Sequence, residues 1–323
     1  MRITNKMINT TYLNNLNSSL SDLTHLNQQV SSGRSYLKAS DDPVASLKAY
    51  QVRQNLSRIS LYQDNISSAQ NILTDVESSY AELNSVLTNA VEKIIEGESD
   101  NSSADDRAII AEVLKQYQGE ILDIANSKSS SKYVFGGSDM YTVPFSVENG
   151  TLYYHGIDVN SDSSSFAEET LYYDTGLGLK TDASGSVISG SAFNIANPGS
   201  SVFGVGVDSD GITNNIYNLI GDIADKLASN DLTDLGSYVS KLETVKDDVL
   251  INYANIGQKT NFLDFLTERL SSNSFNATKQ QSSLECVDKA EAILSYNTQN
   301  TAYNAALAMG SKLLQYSLLD YLR

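Results

Sequence analysis

Apolar positions recur at intervals of seven through the first third of the chain. Val52, Ile59, Ile66, Leu73, Tyr80, Leu87 and Ile94 keep that spacing, and Tyr62, Ala69, Val76, Leu83 and Ala90 follow three residues after the middle five. An a/d pattern held over about six heptads predicts one long helix with partners along its length. Asp42 suits an N-cap, Pro43 the first helical position and Gly97 a left-handed stop. At 1.5 Å per residue, a helix over 43–96 is roughly 80 Å long.

Other stripes supply candidate partners. Leu13, Leu16, Leu20, Leu23 and Val30 alternate three and four apart before Gly33, which predicts a shorter N-terminal helix. Ile110, Leu114, Tyr117, Ile121 and Ile124 predict a third helix after Ser103. Leu235, Val239, Leu242, Val249, Tyr253, Ile256, Leu263 and Leu270 mark another long one. The heptad residues Ile59, Ile66, Leu73, Tyr80, Leu87 and Ile94 are expected to form the core of an antiparallel bundle.

The C-terminal stretch has a different pattern. From Ala302 to Leu322 most positions are apolar, and they do not keep to one stripe. Ala302, Ala306, Met309 and Leu313 form one row; Tyr303, Leu307, Leu314, Leu318 and Tyr321 form another, and Leu319 adds to this surface. A helix apolar nearly all round must be covered. Asn304, Lys312, Gln315 and Asp320 interrupt any membrane span. The expected cover is protein: the chain's own N-terminal helix or neighbouring copies. Until copies meet, residues 1 to about 35 and about 285 to 323 are expected to be largely disordered, because isolated helices of this length are marginal in water.

The middle is punctuated instead. Twelve of the nineteen glycines, two of the three prolines and five of the eight phenylalanines fall between Tyr133 and Gly211. Phe145–Tyr154 reads as a hairpin, with Asn149-Gly150 favouring a type I′ turn. Leu171–Tyr173 and Val202–Val205 are further strand candidates, and 160–165 reads as a loop. The fold class is therefore mainly α with a β-rich insert: a long, coiled-coil-like antiparallel bundle formed by both chain ends, with a small β domain at its tip. The expected division is 1–42 (N-terminal assembly helix and loop), 43–132 (first helical part), 133–211 (β-rich insert), 212–284 (returning helical part) and 285–323 (C-terminal assembly helix).

Composition narrows the function. The net charge is −17, which disfavours nucleic acid and acidic membrane surfaces as partners. Cys286 is the single cysteine, so no intrachain disulfide can form; it is expected within a helix running from Leu284 to Ile293. No basic-apolar-small pattern of a cleaved secretory signal opens the chain. His25 and His155 lack companions at metal-ligand spacing. The Gly-x-Gly triplets at 176–178 and 204–206 continue into no phosphate loop. Asp41-Asp42 before Pro43 reads as capping rather than as a catalytic carboxylate pair. Asp158 and Asp162 lack the ligand spacing of a calcium loop. No nucleophile–base pair supports an enzyme, and no cofactor is expected.

Several stretches resemble the flagellin superfamily of flagellar axial proteins. They are Val30-Ser-Ser-Gly-Arg34 with Ala39-Ser-Asp-Asp-Pro43, Ile121–Asn126 with Tyr133–Ser138 and Pro144-Phe145, Ile256-Gly257 with Asn261, and the end from Asp288 through Tyr303–Leu307 to Ser317–Leu322. Within the superfamily, the hook–filament junction proteins match these stretches better than filament flagellin does. Filament flagellins usually carry alanine where this chain has Pro43, and the Ser-Leu-Leu-Asp-Tyr-Leu ending is also unlike theirs. The resemblance implies a structural protein, exported without a cleaved signal peptide, that polymerises through its terminal helices. The implied interface comprises Leu13, Leu16, Leu20, Leu23, Ala302, Tyr303, Ala306, Leu307, Met309, Leu313, Leu314, Leu318, Leu319 and Tyr321. The implied partners are further copies of the chain, a hook-side junction protein, flagellin, and an export chaperone on the C-terminal helix.

Overall fold

The computed structural model describes the backbone of residues 5–99 and 101–321, with side chains described from Met7 to Ser311, Asp100 excepted. Among them are seven α-helices: α1 (Asn5–Ser32), α2 (Pro43–Glu98), α3 (Ala104–Ala125), α4 (Gly199–Phe203), α5 (Ile216–Ala228), α6 (Leu235–Glu285) and α7 (Lys289–Tyr321). Seven short strands lie between α3 and α4: β1 (Lys128–Ser129), β2 (Lys132–Tyr133), β3 (Phe145–Glu148), β4 (Thr151–Tyr154), β5 (Ile157–Asp158), β6 (Tyr172–Tyr173) and β7 (Phe193–Asn194). The chain is thus mainly α with a β-rich insert. It forms two compact units, Ser60–Leu270 and Met1–Ile59 together with Ser271–Arg323; α2 and α6 contribute to both.

Helix starts follow their caps. The Asp42 carboxylate accepts the backbone N–H groups of Val44 and Ala45 at 3.1 and 2.9 Å, which opens α2. Ser103 and Asp106 form a reciprocal capping box at the start of α3. Asn215 caps α5 by accepting from the N–H groups of Tyr217 and Asn218. Asp288 caps α7 through the N–H groups of Ala290 and Glu291. Each cap satisfies donors that the first helical turn leaves without intrahelical partners.

In the Ser60–Leu270 unit the heptad stripe is the core. Ile66, Leu73, Tyr80, Leu87 and Ile94 are buried, as are Ala69, Val76, Leu83 and Ala90 on the companion row. Opposing residues come from α3 (Ile110, Leu114, Ile121), α5 and α6 (Leu242, Val249, Ile256, Leu263). Gly97 departs from its expected role. It does not terminate α2 but lies buried inside its last turn, where a Cβ would meet the Leu227 methyls at 3.2 and 3.3 Å and Ile110 at 3.5 Å. Tight packing against α3 and α5, rather than backbone handedness, favours a small residue there. Helix α5 is itself an addition to the reading of 212–284. Its buried face of Ile216, Leu219, Ile220, Ile223, Ala224 and Leu227 packs on α3.

The expected hairpin forms, with Phe145 opposite Tyr154 and Glu148 opposite Thr151. Asn149 and Gly150 both take positive φ, 52° and 84°, as a type I′ turn requires. Strand β5 adds antiparallel to β4, while β1–β2 and β6–β7 are separate two-residue pairings. Val202–Val205 is not a strand, since Val202 and Phe203 belong to α4. Both side chains are buried, and consecutive strand residues would point to opposite faces. A helical turn lets both enter one core, where the Phe203 ring stands edge-on to Phe135 and Phe145 at 5.1 and 5.3 Å.

In the other unit α1 packs along α7. Cys286 is not inside a helix: α6 ends at Glu285, and Cys286 forms an exposed antiparallel bridge with Arg34 before α7 begins.

Candidate assembly surface

The terminal unit is held at one end by a compact junction of main-chain bonds. After Gly33, at φ 70°, the chain runs beside the α6–α7 connection. The Ser35 N–H donates to the Glu285 carbonyl at 2.8 Å and the Val287 N–H to the Gly33 carbonyl at 3.1 Å. Gln29 Nε2 donates to the Ser35 carbonyl at 2.6 Å. Arg53 on α2 lies 3.4 Å from the Glu285 carboxylate, an ion pair not aligned as a hydrogen bond. The loop is braced by Asp41, which accepts from the N–H groups of Lys38 and Leu37 at 2.9 and 3.1 Å. These two bonds hold its carboxyl below the usual carboxylate value, aided by the nearby Lys38 ammonium. Asp41-Asp42 is thus a bracing and capping pair. His25 lies on a groove of about 620 Å³ that Leu20, Leu37, Lys38 and Asp41 also line.

Away from this junction, α1 and α7 meet along a seam. On α1 the half-buried positions are Tyr12, Leu16, Ser19, Leu23 and Leu26; on α7 they include Tyr296, Gln299, Tyr303 and Ala306, with Ala292 and Gly310 buried. The spacing alternates three and four on α7, and most members are small or polar. The Tyr12 hydroxyl donates to the Ala306 carbonyl at 3.0 Å. Gln299 Nε2 donates to the Ser19 hydroxyl at 3.1 Å. Gly310 faces the Tyr12 ring and hydroxyl so closely that a Cβ there would collide with them.

Among the described side chains of α7, the large apolar ones off this seam are uncovered. Leu307 and Met309 are 43% and 63% exposed, and Ile293 and Leu294 are exposed as well. On α1, Met7, Ile8, Leu13 and Leu20 face outward. The expected interface residues therefore divide. Leu16, Leu23, Tyr303 and Ala306 turn toward the seam; Leu13, Leu20, Ala302, Leu307 and Met309 turn away from it. The expected rows are regrouped too, since Ala306 joins Tyr303 rather than Ala302 and Met309. Leu313, Leu314, Leu318, Leu319 and Tyr321 lie outside the described side chains.

Like Met7, Ile8, Ile293 and Leu294, three exposed residues at the start of α2 were absent from the expected interface. Val44, Leu47 and Tyr50 sit on the first turns of α2, whose buried side carries Ala49 and Val52. Their signal was present in the sequence: apolar residues off the heptad stripe. Among the described residues, no group of three His, Cys, Asp or Glu is placed to hold a metal ion, and no helix is long and apolar enough to cross a membrane.

Comparison with known proteins gives this geometry a setting. The family described as bacterial flagellin N-terminal helical region matches residues 3–139. The chain is 26% identical over 313 residues to flagellar hook-associated protein 3 of Escherichia coli, covering 95% of each protein. It is 28% identical over 157 residues to the Salmonella typhimurium protein of that name, covering 48% of this chain and 49% of the relative. Among solved structures, a flagellar hook-associated protein from Vibrio parahaemolyticus aligns over 76% of this chain and all of its own, with a TM-score of 0.61 at 19% identity. Hook-associated protein 3 of Legionella pneumophila aligns over 73% of this chain and 98% of its own, with a TM-score of 0.58 at 13% identity.

Proposed function

We propose that the chain, which is similar to flagellin-family proteins at its N-terminal region and to hook-associated protein 3 along its length, is the axial protein joining hook to filament, and that it polymerises through the outward faces of its terminal helices. The observation that carries this reading is the likeness to hook-associated protein 3 along 95% of both chains. The uncovered apolar residues support the mode of assembly. Leu307, Met309, Leu13 and Leu20 lie on helices whose other sides already meet, so a further chain must supply their cover. Burial of such side chains is worth about 25 cal/mol per Å² of apolar surface removed from water.

In this reading copies pack side by side in the flagellar axis, with a hook-side junction protein below and flagellin above. An export chaperone covers the C-terminal helix before assembly. The protein's place is the bacterial flagellum, reached without cleavage of a signal peptide, and its role is structural rather than catalytic.

Deletion of the gene in a flagellated strain tests the proposal. Loss of a junction protein leaves hooks in place and releases flagellin monomers into the medium. Hooks without released flagellin would identify the chain as the filament subunit instead. Intact filaments would remove it from the axis.

A further inference from the structure

The Ser60–Leu270 unit contains a cavity of about 500 Å³ that assembly through the terminal helices leaves unused. That volume lies within the range of small-molecule pockets. Its apolar walls come from Phe193, Phe262, Ile256 and Pro198. The rings of Phe193 and Phe262 are nearly parallel, 18° apart with centroids at 6.1 Å, and Phe262 keeps 40% of its surface exposed.

Two polar groups lining this cavity lack partners. Asn197 is only 6% exposed; its carbonyl oxygen accepts from the Tyr80 hydroxyl at 3.3 Å, while its amide nitrogen has no hydrogen-bond partner. A buried donor in that state has lost its water without gaining a partner. Lys259 is the second, without an ion pair or hydrogen bond among the described residues. Desolvation lowers the pKa of its ammonium. Among the described residues, none of those lining the cavity is an aspartate or glutamate.

We propose that this cavity binds a small organic carboxylate with a flat or ring-shaped apolar face. The carboxylate would accept from Lys259 and Asn197, and the ring would lie against Phe262. Both donors then gain the partner they lack, and a charge-assisted bond offsets the desolvation of the ammonium. The single positive charge favours one carboxylate over a dianion or a neutral ligand. Asn252, Asn255 and Gln258 along the rim can bond hydroxyls, which admits a sugar acid as well as an aromatic acid.

The test is titration of the isotope-labelled full chain with benzoate and with glucuronate, each against its neutral counterpart, benzamide or glucose, followed by NMR. The expected result is a saturable shift of the Asn197 side-chain amide with at least one carboxylate, and no such shift with its neutral counterpart. Lys259→Gln should weaken that binding at least about tenfold, with an unchanged melting temperature showing that the variant is folded. Should Lys259→Gln not fold, the Asn197 amide shift in the unmodified chain decides alone. Response to benzoate alone or glucuronate alone assigns the ring class. The proposal is overturned if neither acid gives a saturable shift at about 10 mM, well above millimolar affinity. It is equally overturned by equal binding of the neutral compounds, or by a folded Lys259→Gln variant that binds as before.

Discussion

At the scale of single residues, Arg107 holds a polar junction of the Ser60–Leu270 unit. It is buried, and its guanidinium donates to the carbonyls of Gly97 and Ser99 and to the Asn230 side chain, at 2.9, 3.2 and 2.8 Å. One side chain therefore ties the end of α2, the start of α3 and the residue after the α5 cap. Arg107→Ala strands these acceptors and should destabilise the protein by about 2–4 kcal/mol. Arg107→Lys should recover only part of the loss, because an ammonium cannot reproduce the planar fork. Chemical denaturation of the three proteins checks both points, and a lysine variant as stable as the parent would show that charge alone suffices. Cys286 lies at the other extreme. It is exposed and bridges Arg34 through main-chain atoms only, so Cys286→Ser should leave stability and motility unchanged in a melting and swimming assay.

At the scale of elements, caps and stripes act on different terms of stability. Leu73 is fully buried at the centre of the α2 stripe. Leu73→Ala should cost about 2–5 kcal/mol through lost burial and the cavity left behind. A melting temperature unaffected by this change would refute the bundle core. The α3 capping box instead makes stability depend on pH. Hydrogen bonds from the Ser103 side chain and then its backbone hold the Asp106 carboxyl below its ordinary value of 3.8. The stability it contributes is complete above about pH 4 and is lost as pH falls through the depressed folded value. Asp106→Asn should therefore flatten the decline of stability below pH 4 relative to the parent chain. Acid titrations of both proteins followed by circular dichroism measure that difference, and superimposable curves would show that the cap carries no linkage.

At the scale of the whole molecule, the proposed assembly gives the terminal helices two jobs. Their facing sides mix small and polar residues such as Ser19, Gln299, Ala306 and Gly310 with Leu16, Leu23 and Tyr303, while Leu13, Leu20, Leu307 and Met309 face out. In the proposed assembly, that outward apolar surface is left for neighbouring copies. Leu307→Asp should change the melting temperature little, within about 0.5 kcal/mol of stability, yet block incorporation at the hook tip. Incorporation is read by release of flagellin in the deletion strain carrying the variant. Hydrogen exchange supplies the companion measurement: amides around Leu307 should be far less protected in the dilute monomer than those around Leu73. Equal protection would mean that the seam alone stabilises α7, contrary to the assembly mechanism.

Periodicity placed α2 and its core because a seven-residue repeat, once buried, admits one helical face. Asp42, Ser103 and Asn149-Gly150 marked boundaries and a turn through local chemistry, which the chain carries in a few neighbouring residues. The family likeness was legible in the same way, in short runs near both ends. Other features depended on what lies across from each residue. Gly97 reads as a stop until Leu227 and Ile110 are seen to occupy the space where its side chain would be. Val202-Phe203 alternates with glycine like a strand, but one aromatic core takes both side chains and requires a helical turn. The unpartnered Asn197 amide and Lys259 ammonium are 62 residues apart and meet only around a shared cavity. For the terminal helices, the sequence determined that apolar surface exceeds what one stripe can cover. Only tertiary structure decided the division, turning Tyr303 and Ala306 toward α1 and leaving Leu307 and Met309 outside, because a seam's phase depends on which small residues let two backbones approach.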